Sequence, residues 1–160
     1  MSSVMKDFKD KDIIKAIQEL ISAVTVCCDY DIPYLAGYSI DGSTIYIDRH
    51  VPEEIKIGSK KIAIFDKLIM HEMVEKAIED KYHIGYIFSH QIALRAEAAL
   101  CEADGVEWSD YEDAMEVYIK KADKEQLKIV PDDLDLKPYE DEDDYENLKK
   151  IFNAEQNKEG

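Results

Sequence analysis

The segment His71-Glu72-Met73-Val74-Glu75 carries an imidazole and a carboxylate four residues apart, with a second carboxylate between them. Residues four apart on an α-helix share a face, so His71 and Glu75 can converge on one point. By this spacing a helix offers two metal ligands one turn apart, and Glu72 beside them could take a proton from a metal-bound water. A carboxylate ligand such as Glu75 suits zinc and, being harder than imidazole, also manganese or iron. The same sector carries Ile64, Phe65 and Leu68 upstream and Lys76, Glu79 and Asp80 downstream. A face that turns from apolar to polar along one helix suits the floor of a cleft. A plain solvated face in an acid-rich chain is the simpler alternative.

A later stretch supplies further candidates. At helical spacing Tyr86, His90, Ala93, Leu94, Glu97, Leu100 and Cys101 share one stripe, while Gln91, Arg95 and Glu102 lie opposite. His90 and Glu97 are the polar members of that apolar stripe. A carboxylate there needs a partner, which a metal, a histidine or an arginine can supply. Seven residues of helix rise about 10.5 Å, so His90 and Glu97 cannot easily share one ion. With His90 as third ligand, His71, Glu75 and His90 give two nitrogens and a carboxylate with one position open, the ligand count of a hydrolytic zinc site. Glu97 would then orient one imidazole through its free ring N–H. The reverse assignment, with Glu97 bound and His90 outside, is nearly as good, and a purely structural His–Glu network is the third option. His50 and His83 read as loop residues, and Asp48 as a cleft wall or a strand end.

With strand, connector and H-E helix in that order, IYIDRHVPEEI…IFDKLIMHEMVEKAI resembles the strand-then-active-helix unit of the zincin-like metallohydrolases, in particular ImmA/IrrE-type metallopeptidases. It is also similar to small phage and prophage proteins with an HExVE helix followed by an H-x-x-A-x-x-x-E helix, here His90 to Glu97. The resemblance covers roughly residues 34 to 105. It implies His71 as a ligand, Glu72 as general base, Glu97 or His90 as the later ligand, and an edge strand able to hold an extended peptide. Glu75 stands where the zincin pattern has its second histidine. A relative that kept the fold without catalysis would carry the same residues.

Positioning these side chains requires a mainly helical α+β fold: an N-terminal helix, a β-hairpin, the metal-site helix pair, and C-terminal helices. Asp10 or Asp12 can cap a first helix reaching about Val26, with Ile13, Ile14, Ile17, Leu20, Ile21 and Val24 on one face. Asp41-Gly42 predicts a two-residue type I′ turn between strands, and Ser43 to Arg49 alternates as a half-buried edge strand that could take up substrate by β-augmentation. Pro52 to Lys61 reads as a connector. Helices are expected over 62–81 and 86–104, the second stopped by Gly105, and a fourth opens on a capping box from Ser109 to Glu112. Residues 1–130 read as one zincin-like domain and 131–160 as an acidic arm ending in a short docking helix.

The formal charge of −16 would repel phosphate backbones, and no basic patch offsets it, so nucleic-acid binding is not expected. No apolar run reaches membrane-span length. The odd set of Cys27, Cys28 and Cys101 implies reduced thiols and a cytoplasmic protein. Two functions are therefore in view. One is a zinc-dependent (or manganese- or iron-dependent) hydrolase acting on a protein or peptide. The other is a non-enzymatic phage or bacterial interaction protein whose acidic arm engages a basic partner.

Overall fold

A computed structural model describes Lys15 and residues 18–159. The expected cap of the first helix, at Asp10 or Asp12, lies outside the described residues; residues 18–22 are helical. That helix does not continue to Val26. Thr25–Cys27 forms strand β1 instead, as its β-branched residues favour.

The fold is α+β and mainly helical. β2 (Ala36–Tyr38) and β3 (Thr44–Ile47) are antiparallel, and β1 pairs with β3 in parallel, giving the order β1-β3-β2. β3 is thus the central strand, not an edge, and has no free side on which to take up a peptide. The turn also differs from the expected one. Only Gly42 has a positive φ, so Asp41 cannot complete a type I′ pair. Residues 40–43 form a longer loop, in which the Asp41 carboxylate accepts from the Ser43 amide and from the Ser39 and Ser43 hydroxyls. The expected connector is a second hairpin: β4 (Glu54–Ile57) and β5 (Lys60–Ala63), with Gly58 at φ +64° between them.

Helix α1 (Phe65–Tyr82) and helix α2 (Tyr86–Ala103) follow, joined through His83 in the left-handed region. Gly105 (φ +73°) turns the chain after α2, where glycine avoids a Cβ clash. Helix α3 (Trp108–Asp123) begins one residue before Ser109 and has no side-chain cap, so the expected capping box is not formed. Lys67, Leu68, Ile69 and Met70 are buried near the start of α1, followed by His71, Glu72, Glu75, Lys76 and Glu79. The buried side of this helix is therefore polar for most of its length.

β3 was expected to be half-buried, but both of its faces are covered. Ile45 and Ile47 join a core with Tyr38, Ile64, Leu68, Cys101, Tyr111 and Met115. On the other face Tyr46 meets Ile32, Leu127, Val130, Leu134, Tyr139, Ile151 and Ala154. Half of this second cluster comes from residues 131–159, which include helix α4 (Lys137–Asp141) and helix α5 (Tyr145–Glu159). The segment expected as an arm also runs along β2: the Ile40 amide donates to the Asp133 carbonyl, and the Asp135 amide to that of Tyr38. Among the described residues no helix is long and apolar enough to cross a membrane.

Candidate metal centre

Helices α1 and α2 pack side by side and bring their polar residues together. His71 Nε2 lies 3.0 Å from Glu75 Oε2 and 3.1 Å from His90 Nδ1, and His90 Nδ1 lies 3.1 Å from Glu75 Oε2. These three atoms form a nearly equilateral triangle. Ligands at about 2.0–2.1 Å from a tetrahedral zinc lie about 3.3 Å apart, so modest widening would admit an ion. Glu75 is only 3% exposed and His71 7%, whereas the His90 side chain is 32% exposed, which leaves the triangle open on one side.

Glu97 sits behind the triangle. Its Oε1 lies 2.8 Å from His71 Nδ1, the ring nitrogen across Cε1 from the one facing Glu75 and His90. A carboxylate in that place accepts the Nδ1–H and leaves Nε2 free to bind. Of the five sequence candidates, His71, Glu75 and His90 thus supply the converging atoms, and Glu97 orients His71. Glu72, next to His71, is buried and lines the same cavity.

The electrostatics follow from crowding these groups in a dry place. Burial opposes charge on His71, but hydrogen bonds to Glu75 and Glu97 outweigh it and raise the imidazole to about 10. Burial likewise works against the Glu75 charge, yet the contacts with His71 and His90 hold it below the usual carboxylate range. For Glu72 the compensation is too small: burial, then the charge of Glu75, outweighs the His71 charge and pushes it up to about 8.

No family model, curated protein or solved structure matches this chain. The site must be read from its own chemistry. Two imidazole nitrogens facing each other and a carboxylate at 3.1 Å cannot all keep protons in the space between them. A divalent cation would replace those protons with a single ion that suits all three donors.

Two tyrosines complete the centre. The Tyr38 hydroxyl lies 3.0 Å from Glu75 Oε1 and 3.2 Å from Glu79 Oε2, fixing the Glu75 oxygen that points away from the triangle. Glu79 in turn pairs with Lys137 at 3.3 Å. The Tyr86 hydroxyl lies 3.2 Å from His90 Nδ1. The sequence reading missed Tyr38, because scattered tyrosines usually pack at core margins. Its strand position, opposite a helix bearing carboxylates, was the only signal. Tyr38→Phe should keep the fold and weaken metal affinity by about 10- to 100-fold, as measured by competition with a chromogenic chelator.

A second group, Asp31, Asp48 and His50, also has ligand-type atoms close together. Its charge is already met: Asp31 accepts from Arg49 Nε at 2.7 Å and from the Lys128 and Ile129 amides, and Asp48 accepts from the Ile32 amide. This cluster is a clamp joining the loop before β2 to the chain after α3. Asp31→Ala should lower stability by about 3 kcal/mol in urea unfolding without changing metal content.

Proposed function

We propose that this protein is a metal-dependent hydrolase, peptidase-like in its chemistry, with His71, Glu75 and His90 as ligands of a divalent cation. Zinc is the first choice for two nitrogens and one carboxylate, with manganese or iron as alternatives. The observation that carries this reading is the donor triangle beside buried Glu72 at the wall of a cavity of about 310 Å³. That volume lies at the lower end of the range for small-ligand sites. A cation there supplies Lewis acidity, lowering the pKa of water and polarising a carbonyl. The chain's own groups do the rest. Glu97 holds His71 in the tautomer with Nε2 free, and Tyr38 fixes the rotamer of Glu75. Glu72 accepts a proton from the attacking water and returns it to the leaving amine. The Tyr86 hydroxyl, beside His90 in the same lining, is the neutral donor assigned to charge developing on the substrate carbonyl.

The likeness to zincin-like metallopeptidases supports the same reading, and a phage or bacterial source fits it. Substrate cannot reach the site by adding a strand to β3, so the cavity itself must hold the peptide. Three free cysteines accord with a cytoplasmic location. The alternative of a non-enzymatic protein with an acidic docking arm has less support. Asp133, Asp135 and Asp144 already accept from Tyr46, Lys76 and Tyr34, and Asp141 from the Tyr86 amide.

The direct test is elemental analysis of protein purified without chelator. One divalent ion per chain is expected, lost in His71→Ala while the circular dichroism spectrum is kept. A wild-type protein that stays metal-free after incubation with zinc, manganese or ferrous iron would overturn the proposal.

A further inference from the structure

The cavity has a one-sided charge. Beyond the carboxylates of the metal centre, its lining includes Asp135 and, at the exposed rim, Glu112 and Glu116 of α3 and Glu142 after α4; among the described residues that line it there is no lysine or arginine. The nearby cations are already paired: Lys76 with Asp80 and with Asp135 of the lining, Lys137 with Glu79. A divalent ion would balance Glu75 and Glu97, but not the three outer glutamates. Glu112 and Glu116 lie one turn apart on α3, where like charges repel. Among the described residues the one ion pair they make is a distant contact, Lys120 to Glu116 at 4.0 Å.

The walls are aromatic. Tyr34 is held in the left-handed region (φ 60°), stacks on Tyr139 with ring centres 5.9 Å apart, and donates to Asp144. Trp108 and Tyr111 form another wall, their rings 5.4 Å apart. The Tyr111 hydroxyl is buried, lines the cavity, and lies beside the Glu97 carboxylate. Aromatic faces with carboxylates form an environment that attracts an organic cation and repels an anion.

We infer that the cavity selects a basic peptide side chain, recognising its ammonium or guanidinium group through Glu112, Glu116 and Glu142 and the aromatic walls. This specificity rests on the proposed peptidase-like reading and adds its substrate class. Acidic side chains are excluded by the same carboxylates.

Trp108 is the single tryptophan of the chain and lines the cavity, so its fluorescence reports occupancy. The experiment titrates the Glu72→Gln protein with blocked tripeptides, alanine on each side of lysine, arginine, glutamine or glutamate, and with unblocked trialanine amide. The lysine and arginine peptides should bind at least tenfold more tightly than the glutamine peptide, with the glutamate peptide weakest. Glu112→Gln combined with Glu116→Gln should remove most of that preference. A control pair outside the cavity, Glu102→Gln with Glu53→Gln, should preserve it. Equal binding of lysine and glutamine peptides overturns the inference, and so does a preference that survives the cavity pair or falls equally in the control. Trialanine amide binding as well as the blocked lysine peptide would overturn it in favour of an α-amine site. The two proposals fail separately. A metal-free protein that keeps the preference loses only the hydrolase, and a metal-loaded protein without it loses only the substrate class.

Discussion

On the proposed mechanism, Glu72→Gln is expected to keep a bound metal within a few-fold of wild-type affinity while peptide hydrolysis falls by about 100- to 10,000-fold, the usual contribution of a positioned general base. Glutamine has the same shape, and Glu72 does not belong to the donor triangle. What disappears is a group able to take and return a proton. The same variant should be more stable than wild type above about pH 8. Burial and Glu75 raise the Glu72 carboxyl to about 8, so the folded state bears a cost for ionising it. The sign follows from the two ionisation ranges. Between the ordinary carboxylate value and about 8 the folded chain binds the proton more tightly, so wild-type stability falls as pH rises through that window and stays low above it. Glutamine has no such penalty. Lost turnover with gained stability is the mark of a residue retained for chemistry. A structural carboxylate would give the opposite pair of results. Turnover can be followed by mass spectrometry on a peptide mixture, and stability by thermal unfolding at pH 6 and pH 9. Activity retained within a few-fold would remove Glu72 from the mechanism.

The site could be read from sequence to the extent that it depends on local periodicity. His71 and Glu75 share a face because one helical turn separates them, and His90 and Glu97 stood out because the rest of their stripe is apolar. Ends of helices marked by single residues, such as the left-handed Gly105, were equally plain. What escaped were features decided by distant partners. Glu72, Glu75 and Glu79 would be solvated on an isolated helix; they are buried because α2, β2 and α4 close over them. Ser43 to Arg49 alternates like a half-exposed edge strand, yet Tyr46 is covered by Val130, Leu134 and Ile151 from the far end of the chain. Nothing within that strand records its parallel pairing with β1. The β4–β5 hairpin was visible as alternating isoleucines on either side of Gly58, but its lysines and glutamates made it read as a polar connector. Tyr38 matters only because a strand happens to face the carboxylates of α1.

Metal affinity should rise steeply with pH, by about tenfold per unit for each proton that the ion displaces. Without metal, His71 holds its second proton up to about pH 10, because Glu75 and Glu97 accept from its two ring nitrogens. Binding a cation at Nε2 expels that proton. The stability of the two forms should therefore respond differently to pH. A histidine raised above its unfolded value stabilises the metal-free fold fully below about 6.5, and that contribution is lost as pH rises through about 10. Glu72 acts in the same direction between its ordinary value and about 8, so the metal-free protein should melt at progressively lower temperature from pH 5 to pH 9. The metal-loaded protein should resist this decline, since its ligands are already deprotonated and the ion binds the native state alone. The difference in melting temperature between loaded and chelator-treated protein should therefore widen continuously with pH. Calorimetric titration with zinc in two buffers of different ionisation heat should register about one proton released near pH 8. In His71→Ala both the proton release and the widening should vanish together. A pH-independent gap in wild type would mean that the imidazole between Glu75 and Glu97 is not where the ion binds.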